Sequence, residues 1–191
     1  KVMEACALYK QALQKGEKSY ELPENGDIST QSPPDLKDLT RRAHDHYKSM
    51  SEYCDWNDQD EQECLDWINT TLEWDNGAYS PLDATIFGVE QFFDLAIMKD
   101  WAAYSYKSPT GGENIEGYLG IKGNIDFILD RGESHLTLID WKFGARKDWG
   151  ANPPKYKTYK DLVNDNQLLL YAYAFHQLYP WATFDQTIFY V

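Results

Sequence analysis

Residues 123–144 read G-N-I-D-F-I-L-D-R-G-E-S-H-L-T-L-I-D-W-K-F-G and contain two β-rich segments separated by a short polar stretch. Residues 130–134, between these segments, have the composition of a hairpin turn. The pattern therefore predicts two neighbouring antiparallel strands, one carrying Asp126 and the other Asp140. Because side chains two residues apart on a strand share a face, Asp140 and Lys142 are expected to point the same way. A hairpin can bring Asp126 alongside them.

These two carboxylates and the amine predict a site for Mg²⁺ and a phosphodiester. Magnesium binds through few carboxylates and keeps several waters. A metal-bound water is a better nucleophile, and both the metal and a lysine offset charge that develops on the phosphate. The alternative is an ordinary β-hairpin with surface charges. It is disfavoured because Asp140 and Lys142 interrupt a strand that is otherwise apolar on both faces.

A third motif lies further along the chain, in the helical pattern D-N-Q-L-L-L-Y-A-Y-A of residues 165–174. Gln167 and Tyr171 are four residues apart and are therefore expected on one face of that helix. Either Asn164 or Asp165 can cap the N-terminus of this helix. Asn164 and Gln167 also have the spacing of a capping box, which would give Gln167 a purely structural role.

Taken in order, G-x-x-D at residues 123–126, D-x-K at residues 140–142 and Q-x-x-x-Y at residues 167–171 resemble the motifs of the RecB-like branch of the PD-(D/E)XK nucleases. The run L-I-D-W-K-F-G is most similar to phage-type exonuclease members, and the resemblance covers roughly residues 88–191. It implies a restriction-endonuclease-like core that binds Mg²⁺, for which Mn²⁺ can substitute, and that hydrolyses DNA.

The resemblance also implies a set of metal ligands. Glu90, in the segment V-E-Q-F-F-D-L, would join Asp126 and Asp140, with the backbone carbonyl of Trp141 as a further ligand. Glu90 has the most apolar sequence neighbours of the acidic residues between positions 76 and 125. An ionised carboxylate buried there would need a counter-charge.

Other side chains would assist the same reaction. By the same resemblance, Lys142 would act on the attacking water and the transition state, and Gln167 and Tyr171 would position the site and the DNA backbone. Members of the family often carry a histidine on an early helix, which makes His44 and His46 possible site residues. A solvated helix face is the favoured alternative for both. Residues two apart do not share a helix face, so these histidines are not predicted to be a metal pair.

The net charge of −13 disfavours simple binding to nucleic acid, but the charge is unevenly distributed. Residues 1–100 hold 9 basic and 21 acidic side chains, whereas residues 101–191 hold 9 and 10. Between residues 142 and 160, basic and aromatic side chains are interleaved, which suits contact with phosphates and bases, although an ordinary surface loop is equally compatible. The basic side chains predicted to bind DNA are Arg146, Lys147, Lys155, Lys157 and Lys160.

Three cysteines without C-x-x-C spacing indicate a reduced intracellular setting rather than a disulfide framework. Some RecB-like nucleases hold an iron–sulfur cluster through cysteines that follow the Q-x-x-x-Y motif. Here no cysteine follows Cys64, so no iron–sulfur cluster is expected. No apolar run approaches the roughly 20 residues that a membrane span needs. We therefore expect no membrane association and a cytoplasmic location in a bacterial cell or a phage-infected host.

The fold is predicted as α/β (α+β), with a central mixed β-sheet flanked by helices in one nuclease domain over residues 1–191. Residues 1–80 are expected to be mainly helical, and residues 84–191 to form the core. The acidic stretch 52–75 is interpreted as a solvated helix face, with a DNA-excluding surface or a partner site as alternatives. Periodicity and breaker residues predict helices over 2–15 and 35–53, a strand over 84–98, loops over 16–35 and 144–163, and a final strand over 187–191.

Together these features predict a Mg²⁺-dependent DNA nuclease, either an exonuclease or a DNA end-processing enzyme of phage or bacterial recombination and repair. Its partners would be the DNA substrate and either a recombination protein or a second copy of the chain. A catalytically silent nuclease fold used for DNA binding or assembly is disfavoured, because every motif position is filled. A metal-dependent enzyme acting on a smaller phosphate ester remains an alternative because of the acidic first half.

Overall fold

A computed structural model describes residues 1–22, 26–50, 57–142 and 158–190 of the chain. The N-terminal part is mainly helical, as predicted. Its elements are α1 (Val2–Lys15), the strands β1 (Ser19–Leu22) and β2 (Gly26–Ser29), α2 (Leu36–Met50) and α3 (Asp58–Glu73).

The first helix, α1, is held by an apolar stripe that packs against the other N-terminal elements. Met3 and Tyr9 are buried in one cluster with Tyr20 of β1, Leu39 of α2 and Ile68 of α3. Gly16 ends the helix with a φ of 71°, a left-handed conformation that glycine adopts without a Cβ clash. The helix predicted over residues 2–15 is therefore confirmed.

The C-terminal part contains a mixed sheet of four strands in the order β3-β6-β7-β8. β6 is antiparallel to both of its neighbours, β3 and β7, whereas β8 runs parallel to β7. The elements of this part are β3 (Thr85–Ala96), β4 (Ala103–Lys107), β5 (Asn114–Tyr118), β6 (Gly120–Asp130), β7 (His135–Lys142), α4 (Tyr159–Val163), α5 (Asn166–Leu178) and β8 (Thr183–Tyr190).

Helices cover the two faces of this sheet. On one face, Ala174 and Phe175 of α5 pack against Phe93, Ile128 and Leu138 of the strands. On the other face, Phe127 belongs to a second cluster that also includes Ile86, Leu129 and Ile139. Helix α1 lies on this face and is hydrogen-bonded to β3 through Gln14, whose side chain donates to the carbonyl of Ile86 at 3.0 Å and accepts from the Ile86 N–H at 2.8 Å. The predicted α+β architecture, a mixed sheet flanked by helices, is thus confirmed.

Two local predictions from the sequence were wrong. Residues 19–22 and 26–29, predicted as loop, form a hairpin, because Tyr20 and Leu22 alternate with exposed residues and are buried against α1. Tyr159–Val163, also predicted as loop, form a short helix capped by the Thr158 side chain. Of the two predicted caps of α5, Asn164 and Asp165, Asp165 caps the helix, which leaves the Gln167 side chain available for other contacts.

No helix in the described parts of the chain is both long enough and apolar enough to cross a bilayer.

Candidate active site

Glu90, Asp126 and Asp140 lie in one row across three neighbouring strands. Pairs on either side, Val89 with Phe127 and Gln91 with Ile125, place Glu90 opposite Asp126. The β6–β7 ladder pairs Phe127 with Ile139, and one further step in that register places Asp126 opposite Asp140. Directly opposed side chains on antiparallel strands have Cβ atoms about 4.5–5.5 Å apart. The sheet register therefore places the three predicted acidic residues at adjacent positions of neighbouring strands.

The Asp126 carboxylate fills a gap in the β-ladder. Backbone pairing between β6 and β7 reaches Phe127 and Ile139 but does not continue to the next pair. The backbone N–H of Trp141 instead donates to Asp126 Oδ2 at 2.8 Å. The Trp141 ring stacks on Phe127 with centroids 5.2 Å apart, which fixes the end of β7 beside Asp126.

Asp140 lies under a small network of polar side chains on the α5 side of the sheet. Its carboxylate is buried, with only 3% of the residue exposed. Lys142 Nζ donates to Asp140 Oδ1 at 2.8 Å and is also 2.6 Å from Oδ2. From α5, Gln167 Nε2 donates to Asp140 Oδ1 at 3.2 Å and to the Tyr171 hydroxyl at 2.8 Å. Four of the predicted catalytic residues are thus joined by direct contacts, and Asp126 is linked to them through the backbone of β7.

Glu90 has an unusual backbone conformation. Its φ is 47°, a left-handed value that costs a residue with a Cβ about 1–2 kcal/mol. Around this residue the side-chain alternation of both strands changes, because Phe93 and Ile125 pack on the α5 side whereas Val89 and Phe127 pack on the other. Side chains of regular strands would keep odd-numbered residues on one face. The left-handed backbone of Glu90 therefore lies where the side chains of β3 and β6 change faces, which is also where the acidic row crosses these strands.

A cavity of about 210 Å³ opens beside the row, between the sheet and α1. Glu90, Asp126 and Trp141 line it from the strands, and Met3 and Glu4 from α1. Asn124 Nδ2 lies 3.5 Å from Glu90 Oε2, a long hydrogen bond. Two carboxylates of the row, those of Glu90 and Asp126, therefore border this open space.

The sequence also matches a known family as a whole. A family model of the PD-(D/E)XK nuclease superfamily matches residues 12–191. The chain belongs to the PD-(D/E)XK nuclease superfamily. Comparison with curated protein sequences gives no match.

Members of the PD-(D/E)XK superfamily are usually nucleases that use divalent metals, and the fold implies a DNA substrate. The superfamily predicted from the three motifs is therefore confirmed.

Electrostatic interactions in this PD-(D/E)XK protein raise the pKa values of two carboxylates of the row, Asp126 and Glu90. Burial raises the pKa of Asp126, and the neighbouring Asp140 charge raises it further, against the lowering effect of the Trp141 N–H and Lys142. Glu90 is an exposed residue whose carboxylate is partly buried. That burial raises the pKa of Glu90, and the charges of Glu4 and Asp126 add to the shift. A cation beside the row would relieve this repulsion.

Lys142 remains protonated in this setting. Burial lowers the pKa of Lys142, but its hydrogen bond to Asp140 and the charges of Asp140 and Asp126 outweigh burial, so the net shift is upward. Burial also raises the pKa of Tyr171. Both groups are therefore hydrogen-bond donors at neutral pH.

The donor set fits a hard divalent cation. Asp140 Oδ2 is buried and has no partner among the described residues other than the Lys142 ammonium, whose Nζ lies 2.6 Å away. Carboxylate oxygens are the ligands that Mg²⁺ prefers, and Mg²⁺ usually keeps several waters. Within the described residues no group of three His, Cys, Asp or Glu side chains is close enough to enclose a metal. The arrangement therefore suits an ion held by Asp126 and Asp140 and completed by water, with Glu90 adjacent.

Asp126→Asn is expected to stabilise the metal-free protein at neutral pH. The raised pKa of Asp126 means that the folded state holds this proton more tightly than the unfolded chain, so ionisation lowers stability as pH rises above about 4. Asparagine keeps an oxygen for the Trp141 N–H without the charge. In EDTA the variant should melt a few degrees higher than the wild type at pH 8, and the difference should shrink towards pH 4. Asp94→Asn, at an exposed position on β3, is the control. A pH-independent difference would contradict the assigned cause.

The remaining predicted residues lie elsewhere or outside the described part. The His44 ring is near Asp45, with Nδ1 3.3 Å from Oδ1. His46 lines a separate cavity with Arg42 and Lys1, and Lys1 also borders the cavity beside the acidic row. Lys160 is exposed on α4. Arg146, Lys147, Lys155 and Lys157, the other predicted DNA-binding residues, fall outside the described residues.

Glu4 is a site neighbour that the sequence interpretation missed. Its side chain is only 11% exposed, forms an ion pair with Lys1 at 3.1 Å and faces the same cavity as Glu90 and Asp126. The signal was available, since Glu4 is the only charged residue in the apolar run V-M-E-A-C-A-L-Y of residues 2–9. A buried carboxylate in such a run needs a nearby positive charge.

Proposed function

We propose that this protein is a Mg²⁺-dependent DNA nuclease of the RecB-like branch, acting as an exonuclease or end-processing enzyme in phage or bacterial recombination and repair. The observation that carries the proposal is the buried Asp140 carboxylate. Oδ1 accepts hydrogen bonds from Lys142 and Gln167, and Oδ2 has no partner among the described residues other than the Lys142 ammonium, whose Nζ lies 2.6 Å away. The Asp140 carboxylate is next to Asp126, so the two would bind a cation, and the Lys142 ammonium in the same cluster would donate to a phosphate oxygen.

Asp126 and Asp140 would hold the metal, with Glu90 and the backbone carbonyl of Trp141 as additional oxygen ligands. When bound, the metal supplies a more acidic water and offsets charge on the phosphate. The pKa of Lys142 is shifted upward, so its side chain stays protonated. Lys142 would therefore act by orienting the attacking water and by stabilising charge on the phosphate oxygens. It does not accept the proton of the water in its resting state.

Gln167 and Tyr171 have positioning roles in this proposal. Gln167 bridges Asp140 Oδ1 and the Tyr171 hydroxyl, and Asp165 fixes the first turn of α5 by accepting from the Gln167 backbone N–H at 2.9 Å. The amide of Gln167 therefore holds the Asp140 carboxylate in one orientation. The Tyr171 hydroxyl accepts from Gln167, and its own proton remains available for a phosphate oxygen of DNA.

Binding of the DNA backbone would involve Lys160 together with Arg146, Lys147, Lys155 and Lys157. These residues follow β7 in the sequence, so they are tethered to the strand that carries Asp140 and Lys142. Positive side chains there would offset the repulsion between DNA phosphates and a chain with a net charge of −13. The proposed DNA-binding residues are therefore close in sequence to the proposed catalytic strand.

Digestion of fluorescently labelled DNA tests the function. The protein is expected to shorten linear DNA in Mg²⁺ or Mn²⁺ and to leave it intact in EDTA, because the reaction requires a cation at Asp126 and Asp140. Single-stranded, blunt duplex, overhang and covalently closed circular substrates separate end-processing from internal cleavage. Binding of DNA without cleavage in any metal would instead indicate a catalytically silent module, and hydrolysis confined to small phosphate esters would reject DNA as the substrate.

A further inference from the structure

The β4–β5 hairpin presents exposed aromatic side chains that the proposed catalytic cluster does not use. It forms a separate two-stranded sheet in which all five β4 residues are exposed. Tyr104 is 38% exposed and Tyr106 is 52% exposed. Isolated two-stranded hairpins are marginally stable in water, so exposed aromatic residues at this position need a reason.

The two faces of this hairpin differ in chemistry. The register pairs Tyr104 with Gly117 and Tyr106 with Ile115, which places both tyrosines on one face. On the opposite face, the Ser105 hydroxyl donates to Glu116 at 3.2 Å. The hairpin therefore has one aromatic face and one that is largely polar.

The aromatic face has a defined shape. An added Cβ at Gly117 would lie 2.6 Å from the Tyr104 hydroxyl oxygen and 2.8 Å from Cζ, so the Tyr104 ring lies directly over that glycine. The ring centroids of Tyr104 and Tyr106 are 5.9 Å apart, with an interplanar angle of 37°. Gly117 thus allows Tyr104 to pack on the strand with its other ring face open.

The aromatic hairpin is connected to the proposed catalytic site. Backbone bonds of 2.8 Å from Ile97 N to Leu119 O and from Leu119 N to Ala102 O join it to the ends of β3 and β6. Along β6, a groove of about 340 Å³ is lined by Lys122 and Gly123, and by Gln167 and Tyr171 from α5. A linear ligand leaving Gln167 and Tyr171 can follow β6 towards the hairpin.

We infer that Tyr104 and Tyr106 form a stacking site for unpaired bases of the DNA substrate. This inference rests on the proposed nuclease function and specifies a substrate with a single-stranded segment. Stacking on an exposed ring needs a base with a free face, which a base inside a duplex does not offer, so this site would take bases of a single-stranded segment. Residues 97–122 hold three lysines and three acidic residues, so attraction of phosphates does not dominate there. Aromatic stacking is the interaction that this face provides.

Fluorescence anisotropy in EDTA tests the stacking site without cleavage. Three labelled DNAs are each titrated with the wild-type protein and with Tyr104→Ala/Tyr106→Ala. They are oligothymidylate, a strand of equal length with abasic positions, and a duplex. The double variant is expected to bind oligothymidylate at least about ten-fold more weakly, because each stacked base contributes on the order of 1–3 kcal/mol. Its affinity for the abasic strand should be unchanged. Tyr118→Ala is the matched control, since Tyr118 is 41% exposed and pairs with Ala103 on the other face.

A second variant separates base stacking from protein docking. Tyr104→Leu/Tyr106→Leu keeps apolar area but removes the rings, so it should lose oligothymidylate as the alanine variant does. Circular dichroism confirms that each variant is folded. The inference is overturned if wild type does not bind oligothymidylate, if Tyr118→Ala is equally weak, or if sedimentation shows that this face forms a dimer. Cleavage in Mg²⁺ is measured in parallel. If the double variants cleave DNA normally and bind oligothymidylate as the wild type does, the stacking site alone is rejected. If the wild-type protein does not cleave DNA, the nuclease function is rejected.

Discussion

Asp140→Asn is expected to reduce DNA cleavage by about 10³-fold or more, equivalent to roughly 4 kcal/mol of transition-state stabilisation. Asp140 is the most buried carboxylate of the row, and its Oδ2 has no partner among the described residues other than the Lys142 ammonium. Asparagine removes the charge that would bind the cation while occupying nearly the same volume. Lys142 is 37% exposed at its side chain, so water can solvate its ammonium when the carboxylate is lost. The fold should therefore survive.

Isothermal titration calorimetry and a cleavage assay together test this expectation. Mg²⁺ affinity and cleavage should both fall in Asp140→Asn, with a circular dichroism spectrum like that of the wild type. Asp94→Asn makes the same chemical change at an exposed position on β3 and should leave both unchanged. Unaltered Mg²⁺ affinity in Asp140→Asn would show that the cation binds elsewhere.

Lys142→Met is expected to lower turnover by about 10²-fold or more, the usual size for one lost electrostatic or acid–base group. Methionine keeps much of the aliphatic stem and removes the ammonium next to Asp140. Because this ammonium partly neutralises Asp140, its loss should leave Mg²⁺ affinity unchanged or higher. The expected result is thus low turnover with retained metal binding, opposite in its metal response to Asp140→Asn.

Single-turnover cleavage and DNA binding in EDTA distinguish the role of Lys142. Single-turnover rates should fall, whereas affinity for DNA should change little. Lys18→Met, at an exposed position just before β1, provides a matched control. A variant that loses only DNA affinity would make Lys142 a phosphate anchor rather than a group acting in the transition state.

The two strands that carry Asp126 and Asp140 could be predicted from the sequence because the determining signals are local. The two-residue period of a strand places Asp140 and Lys142 on one face, and the turn at residues 130–134 determines how Asp126 meets them. Gln167 and Tyr171 could be placed on one face of a helix for the same kind of reason. Contact between Gln167 and Asp140 required the packing of α5 on the sheet, for which the family resemblance was the guide.

Other features depend on contacts between distant parts of the chain and were not predictable in the same way. Glu4 reaches the acidic row because α1 packs against β3, more than 80 residues later in sequence. The β1–β2 hairpin has only Tyr20 and Leu22 as buried residues, and Pro23 with its polar neighbours favoured a loop. The aromatic face of the β4–β5 hairpin became visible only when the register paired Tyr104 with Gly117.

The left-handed backbone of Glu90 has a consequence for attempts to engineer this protein. Glycine, and to a lesser degree asparagine, adopts a φ of 47° more readily than glutamate does. Selection of variants for thermal stability alone should therefore enrich glycine or asparagine at position 90. The selected variants would lack one carboxylate of the acidic row. A library designed for thermostable variants should keep Glu90 unchanged and vary other positions, because stabilising changes at functional positions commonly reduce activity.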